Sequence, residues 1–247
     1  MGLTQIIGHG TNNSAMSERT VTIPETPQVV GSVATLNQLA CVQPVELPSL
    51  CDILEIRLDG MAEHVDALKV ELDRFADFPL LFTARAHSEG GLEDLCAAER
   101  SGLLLEVADH ATWIDVELAS YEEMQSAIHR IRCQEVGLIL SYHNFEQTPA
   151  EFEMQRLVDL SEEADIVKIA VQHHTVEDFA RCTHILQRND HPMSMMGMGE
   201  LGAVSRLLYA QHGSLLNYGY LGEEPTAPGQ WPAQLMKQAI SALTPVT

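Results

Sequence analysis

Eight short, apolar, β-rich runs recur along this chain, and they constrain its fold more than any other feature. They cover residues 29–33, 52–58 (DILEIRL), 79–85 (PLLFTAR), 113–118 (WIDVEL), 136–143 (VGLILSYH), 165–171 (DIVKIAV), 193–198 (MSMMGM) and 215–221 (LLNYGYL). Helix-like segments separate most of them. In 61–75, Met61, Val65, Leu68 and Leu72 form one apolar stripe. Pro149 opens a segment at 150–163, and Thr175 with Asp178 forms a capping pattern before 176–188. Residues 200–212 and 231–243 also read as helices, whereas Pro44 and Pro48 interrupt 34–50. Strands apolar on both faces and alternating with helices predict a parallel sheet covered by helices. Eight such units fit a single-domain (β/α)8 barrel over residues 28–247. Residues 1–27 read as a flexible or capping segment whose apolar piece is Val21-Thr22-Ile23.

With 35 acidic against 14 basic residues, the formal net charge is −21, which argues against nucleic acid or an anionic membrane as partner. No apolar run reaches the roughly 18 residues of a membrane span, and the N-terminus lacks a secretory pattern. Five widely spaced cysteines (Cys41, Cys51, Cys96, Cys133 and Cys182) read as reduced, buried thiols of a cytoplasmic protein.

In such a barrel the chemistry belongs at the C-terminal strand ends. Glu55, Arg57 and Asp59 share one strand face, as do Asp115 and Glu117. Arg85 ends the third run, Glu89 follows before Gly90-Gly91, and His143 ends the fifth. Lys168 is the sharpest signal, because it interrupts an apolar run in a chain with three lysines against eleven arginines. Two readings stand side by side. Burial can lower its pKa and make it a nucleophile toward ketones, or it can pair with Glu55, Glu89 or Asp115.

Gly197 to Gly202 matches G-x-G-x-x-G, but too little chain follows for a dinucleotide fold. It reads as a glycine turn suited to an anion, with Arg206 nearby. His173 and His174 read as solvent-exposed, and no metal is expected. Residues 222–230, rich in Pro and Gly, read either as a lid or as an ordinary surface loop.

Six ordered motifs resemble the type I 3-dehydroquinate dehydratases: EIRLD at 55–59, FTAR with EGG at 82–91, S-x-H-N-F at 141–145, VKIAV at 167–171, SRL at 205–207 and TAPGQ at 226–230. The resemblance implies a homodimeric (β/α)8 enzyme that uses no metal or organic cofactor. It would dehydrate 3-dehydroquinate to 3-dehydroshikimate in the shikimate pathway of aromatic amino-acid biosynthesis. It makes Lys168 the Schiff-base lysine, His143 the general acid/base and Glu89 the carboxylate assisting carbinolamine turnover. Arg206 would grip the substrate carboxylate. Glu55, Arg57 and Arg85 would bind substrate hydroxyls and position the lysine. Ser32, Met196 and Met198 would line the pocket, and Thr226 and Gln230 would be lid contacts. Thr226 stands where serine is common, and Tyr218 where phenylalanine is. A phosphate-binding aldolase that also forms a Schiff base, and a barrel that binds without turnover, are the competing readings.

An anionic substrate approaching a chain of charge −21 gains nothing from long-range attraction. The expected result is a kcat/KM for 3-dehydroquinate that does not fall steeply with salt. Measurement between low and physiological ionic strength checks this, and a steep fall would contradict it.

Overall fold

The eight β-rich runs become the eight strands of one parallel sheet, and the alternation of their side chains explains why that sheet curls. In the computed structural model, residues 21–223, 225 and 229–243 are described. The strands are β1 (Gln28–Val33), β2 (Ile53–Arg57), β3 (Leu80–Thr83), β4 (Trp113–Glu117), β5 (Gly137–Asn144), β6 (Ile166–Gln172), β7 (Met193–Met198) and β8 (Leu216–Tyr220). They pair in the order β7-β6-β5-β4-β3-β2-β1-β8. At the β7–β8 seam the Leu215 amide donates to the Met193 carbonyl at 2.8 Å. The Ser194 hydroxyl reaches the Leu216 carbonyl at 2.6 Å. The result is a (β/α)8 barrel.

The surrounding helices are α1 (Leu36–Cys41), α2 (Leu47–Leu50), α3 (Val65–Leu72), α4 (Ala97–Glu106), α5 (Tyr121–Arg132), α6 (Glu151–Asp159), α7 (Val176–Arg188), α8 (Gly202–Gln211) and α9 (Ala233–Ala242). The weak 34–50 segment splits into α1 and α2 around Pro44. The stripe at 61–75 keeps only α3 as α-helix, with 3-10 turns at either end. The Thr175–Asp178 capping box opens α7 as the spacing predicts. Helices α4 and α5 are additions to the sequence reading. The buried side of α5 carries Met124, Ala127, Ile128 and Ile131, an ordinary amphipathic stripe. That of α4 carries Ala97, Arg100 and Leu104, a stripe disguised by its arginine. Among the described residues no helix is long and apolar enough to cross a membrane.

Two apolar layers result. Outward-facing strand residues such as Leu54, Ile56, Phe82, Val116, Val167 and Ile169 pack beneath the helices. Inward-facing Val30, Ile53, Leu81, Trp113, Ile139 and Ile166 fill the barrel at the strand starts, with Val21 and Ile23 packed against them. Only a glycine fits where β5 begins. A Cβ on Gly137 would lie 2.2 Å from the Trp113 ring.

Gly137→Ala therefore overpacks the barrel floor. The expected cost is about 1–3 kcal/mol, or a Tm loss of several degrees at roughly 2–4 °C per kcal/mol. Thermal denaturation checks the loss. kcat of the folded variant should stay at the wild-type value, because the strand ends lie at the far side of the barrel.

Candidate active site

On every strand but β7 the inward face turns from apolar to polar after one alternation; on β7 Ser194 comes first and Met196 and Met198 follow. On the even strands Ile53, Trp113, Ile166 and Leu216 are followed two residues later by Glu55, Asp115, Lys168 and Tyr218. On the odd strands the matching level holds Ser32, Thr83, Ser141 and Ser194, all buried. The strand register sets these side by side, with Ser32 opposite Glu55, and Lys168 between Ser141 and Ser194. A ring of small hydroxyls thus surrounds the charged groups. Ser32 donates to Glu55 at 2.5 Å and Thr83 donates to it at 2.8 Å. The Ser141 hydroxyl donates to Asp115 at 2.6 Å.

Asp115 is the shared counter-ion. Its carboxylate accepts from Lys168 Nζ at 2.8 Å and pairs with Arg85 Nη2 at 2.8 Å. Burial opposes its ionisation, but Arg85 and Lys168 outweigh that and hold its pKa below the usual range. Arg85 also donates to Glu117 at 2.9 Å and to Ser141 at 2.7 Å. Glu117 in turn is held by Arg100 Nη1 at 2.5 Å and by the Ala86 amide at 2.9 Å. The two readings of Lys168 are therefore not exclusive. It pairs with Asp115, yet burial, assisted by Arg85, still lowers its pKa from the ordinary lysine value.

Glu89 and His143 form a second unit. Glu89 Oε2 accepts from the His143 amide at 3.0 Å and lies 2.9 Å from Nδ1. That oxygen serves as acceptor for the amide, so Nδ1 is assigned the proton, which leaves Nε2 with a lone pair. Burial lowers the His143 pKa well below its usual value, with Arg85 and Lys168 adding to the effect. Burial pushes the Glu89 carboxyl up to about 7 against the opposing pull of Arg85. The loop carrying Glu89 is clamped from β2. Arg57 makes a two-pronged pair with Asp59 at 2.9 and 2.7 Å and donates to the Gly90 carbonyl at 3.0 Å. Asp59 accepts from the Arg85 and Leu92 amides at 3.1 and 2.9 Å. Gly90 has φ +86°, and a Cβ there would meet Phe145, which lies nearly parallel to the His143 ring.

Arg206, on α8, is fully buried. Its Nη1 donates to the Tyr218 carbonyl at 2.7 Å, while its Nε has no partner among the described residues. Among the described residues no carboxylate pairs with it, and burial lowers its pKa to about 10. An unneutralised buried guanidinium is poised for an anion.

These groups share one cavity of about 720 Å³ at the strand ends. Of the anticipated residues, Glu55, Arg57, Arg85, Glu89, His143, Lys168, Met196, Met198, Arg206, Tyr218 and Gln230 line it. Ser32 stands behind Glu55 rather than in the wall. Thr226 lies outside the described residues. Gly90, Phe145 and Ala170 also line the cavity, and Arg100 braces it from α4. Their sequence signals are weak: a loop glycine, two apolar residues and a helical arginine that looks solvent-facing.

Three expectations need correction. His173 is not exposed but buried beneath α7 and α8. The Thr148 hydroxyl donates to the Gln172 carbonyl and accepts from His173 Nδ1, so Nε2 accepts from the Tyr209 hydroxyl at 2.6 Å. Burial lowers the His173 pKa to about 4. The glycine turn is not an open amide cradle, because the Gly197 amide donates to the Ser205 hydroxyl and the Gly202 amide to the Gly199 carbonyl. Of the five free cysteines, Cys51 and Cys182 are buried, but Cys41, Cys96 and Cys133 are exposed.

Fold and site together define a (β/α)8-barrel enzyme organised around one buried lysine. Comparison with known proteins carries this further. Residues 35–245 match the type I 3-dehydroquinase family model. The chain is 34% identical to the 3-dehydroquinate dehydratase of Methanothermobacter thermautotrophicus over 195 residues, covering 78% of this chain and 86% of that one. It is 32% identical to that of Thermococcus onnurineus, covering 87% and 98%. The 3-dehydroquinate dehydratase structure from Geobacillus kaustophilus superposes with a TM-score of 0.77 at 27% identity, covering 87% and 90%. That of the Clostridium difficile type I enzyme with covalently modified comenic acid gives 0.75 at 25%, covering 88% and 92%. The chain belongs to the type I 3-dehydroquinase family.

The position of Glu89 has a consequence for stability. The folded state holds its proton up to about pH 7, against an ordinary value of 4.5. The stability this proton confers is present below about pH 4.5 and is lost as pH rises through 7. Glu89→Gln should therefore raise the free energy of unfolding at pH 8 by up to about 3 kcal/mol, at about 1.36 kcal/mol per unit, with a corresponding rise in Tm, and change both little at pH 4. Paired melts at the two pH values check this. An equal effect at both would contradict it.

Proposed function

We propose that this protein removes water from 3-dehydroquinate to give 3-dehydroshikimate through a Schiff base at Lys168, as a step of the shikimate pathway. The carrying observation is the pairing of two buried cations on one cavity. Lys168 has an internal carboxylate partner in Asp115, whereas Arg206 has none among the described residues. A carboxylate-bearing ketone complements the pair, its carboxylate on Arg206 and its carbonyl carbon toward Nζ.

The lone pair of Lys168 Nζ adds to the carbonyl carbon, and the carbonyl oxygen takes up protons and leaves as water. Glu89, titrating near neutrality, is suited to exchange those protons through His143. The protonated imine acidifies the adjacent C–H. His143 Nε2, neutral at pH 7, takes that proton, and the electron pair moves into the imine to give an enamine. The enamine expels the β-hydroxyl, which leaves as water with the proton returned by His143. Water then adds to the unsaturated imine and releases product and lysine. The net change is the loss of one water. Glu55, Arg57 and Arg85 supply polar contacts to the substrate hydroxyls, with Met196 and Met198 as the apolar wall. Gln230 and Thr226 are assigned to closure. The covalently modified comenic acid in the Clostridium difficile relative supports covalent chemistry in the family. A homodimer in the cytoplasm belongs to the same reading, the second point favoured by three exposed free thiols.

The test follows the ultraviolet absorbance of the conjugated enone when 3-dehydroquinate is added in buffer containing EDTA. Wild-type enzyme should turn over, and borohydride should trap an adduct on Lys168. Lys168→Ala should lose both. His143→Ala should still be trapped while kcat falls by about 10²–10⁴. Near-wild-type turnover in His143→Ala would remove His143 from its role, and absence of wild-type turnover would overturn the assignment.

A further inference from the structure

Lys168 Nζ is held on two sides by groups of different kinds. Asp115 lies at 2.8 Å. Nζ also lies over the ring of Tyr218 on β8, 4.0 Å from its centroid. Tyr218 is buried, and among the described residues its hydroxyl has no hydrogen-bond partner. The side chain is therefore not held there by its polar end. The part of it in use is the aromatic face.

We propose that the face of Tyr218 is a cation-binding surface for the Lys168 nitrogen, stabilising first the ammonium and then the protonated imine. The inference rests on the Schiff-base reading only for its second half. The negative face of an aromatic ring attracts a cation without a directional hydrogen bond. An N–H···O contact changes as the ammonium gives up protons to become an imine, but attraction to a ring face follows the positive charge wherever it sits on that nitrogen. A second carboxylate in this position would lock the lysine as ammonium. A ring offers a smaller stabilisation that leaves the amine accessible. The other charged and titratable groups of the cavity are Asp115 on β4, Glu55 and Arg57 on β2, His143 on β5, Arg85 and Glu89 after β3, and Arg206 on α8. Arg85 opposes the positive charge, so the ring offsets part of that repulsion.

The test replaces residue 218 with phenylalanine, with pentafluorophenylalanine, whose ring has a similar shape but a reversed charge distribution, and with leucine. The pH dependence of Lys168 modification by methyl acetimidate is followed by mass spectrometry without substrate, which a chain of three lysines makes simple to assign. The apparent lysine pKa should stay near wild type in Tyr218→Phe. It should fall by about 0.5–1.5 units in the pentafluoro and Leu variants. The fraction trapped by borohydride with 3-dehydroquinate at pH 7 should fall in the same order. If the pentafluoro variant behaves like Tyr218→Phe, the ring serves only as packing and the proposal is overturned. That comparison stands even if Tyr218→Leu fails to fold. Failure of wild-type trapping would instead count against the Schiff-base reading, and the substrate-free titration would still decide the role of Tyr218.

Discussion

The carboxylate of Asp115 anchors the charged network around Lys168. It accepts from Lys168, Arg85 and Ser141 at once. Through Arg85 it is tied to Glu117, and through Glu117 to Arg100 on the outer helix layer. Buried ion pairs contribute little to net stability compared with apolar packing, but removing one partner leaves an uncompensated charge and costs about 3–5 kcal/mol. The network is better understood as a device for position. It fixes a buried lysine whose charged form burial disfavours.

The surrounding hydroxyls make that arrangement tolerable. Ser32, Thr83 and Ser141 supply the hydrogen bonds that water would otherwise give to Glu55 and Asp115. They are small enough to leave a cavity above them. Larger side chains at these levels would fill the barrel, as Trp113 and Ile139 do below. One step along every strand but β7 therefore separates a packed floor from a polar chamber. The loop with Glu89 is clamped through Arg57 and Asp59, so the Glu89–His143 pair is positioned by contacts other than those that hold the Lys168 ammonium.

The asymmetry between the two buried cations gives the site its direction. Lys168 is balanced by Asp115 and borders an aromatic face. Arg206 donates to the Tyr218 carbonyl and pairs with no carboxylate among the described residues. An anion entering the chamber would meet an unneutralised guanidinium at that end. This local charge matters in a chain of net charge −21, where the wider field repels what the pocket attracts.

Much of this was legible in the sequence. Period-two alternation placed Glu55 and Arg57, and Asp115 and Glu117, on shared faces. The eight runs fixed the barrel, and a lysine inside an apolar strand marked the centre. These features depend on neighbours along one strand, where geometry is set by the backbone itself. Which carboxylate Lys168 meets was not legible, since Glu55, Glu89 and Asp115 were equal candidates until strand register and barrel closure chose Asp115. The burial of His173, the inward turn of Arg100 on α4 and the internal use of the glycine-turn amides were hidden for the same reason. Each depends on what packs against it from elements distant in the chain. The sequence by itself determined the elements and the chemical inventory. Only the tertiary structure decided the pairings, because burial and Coulomb interaction depend on distances through space.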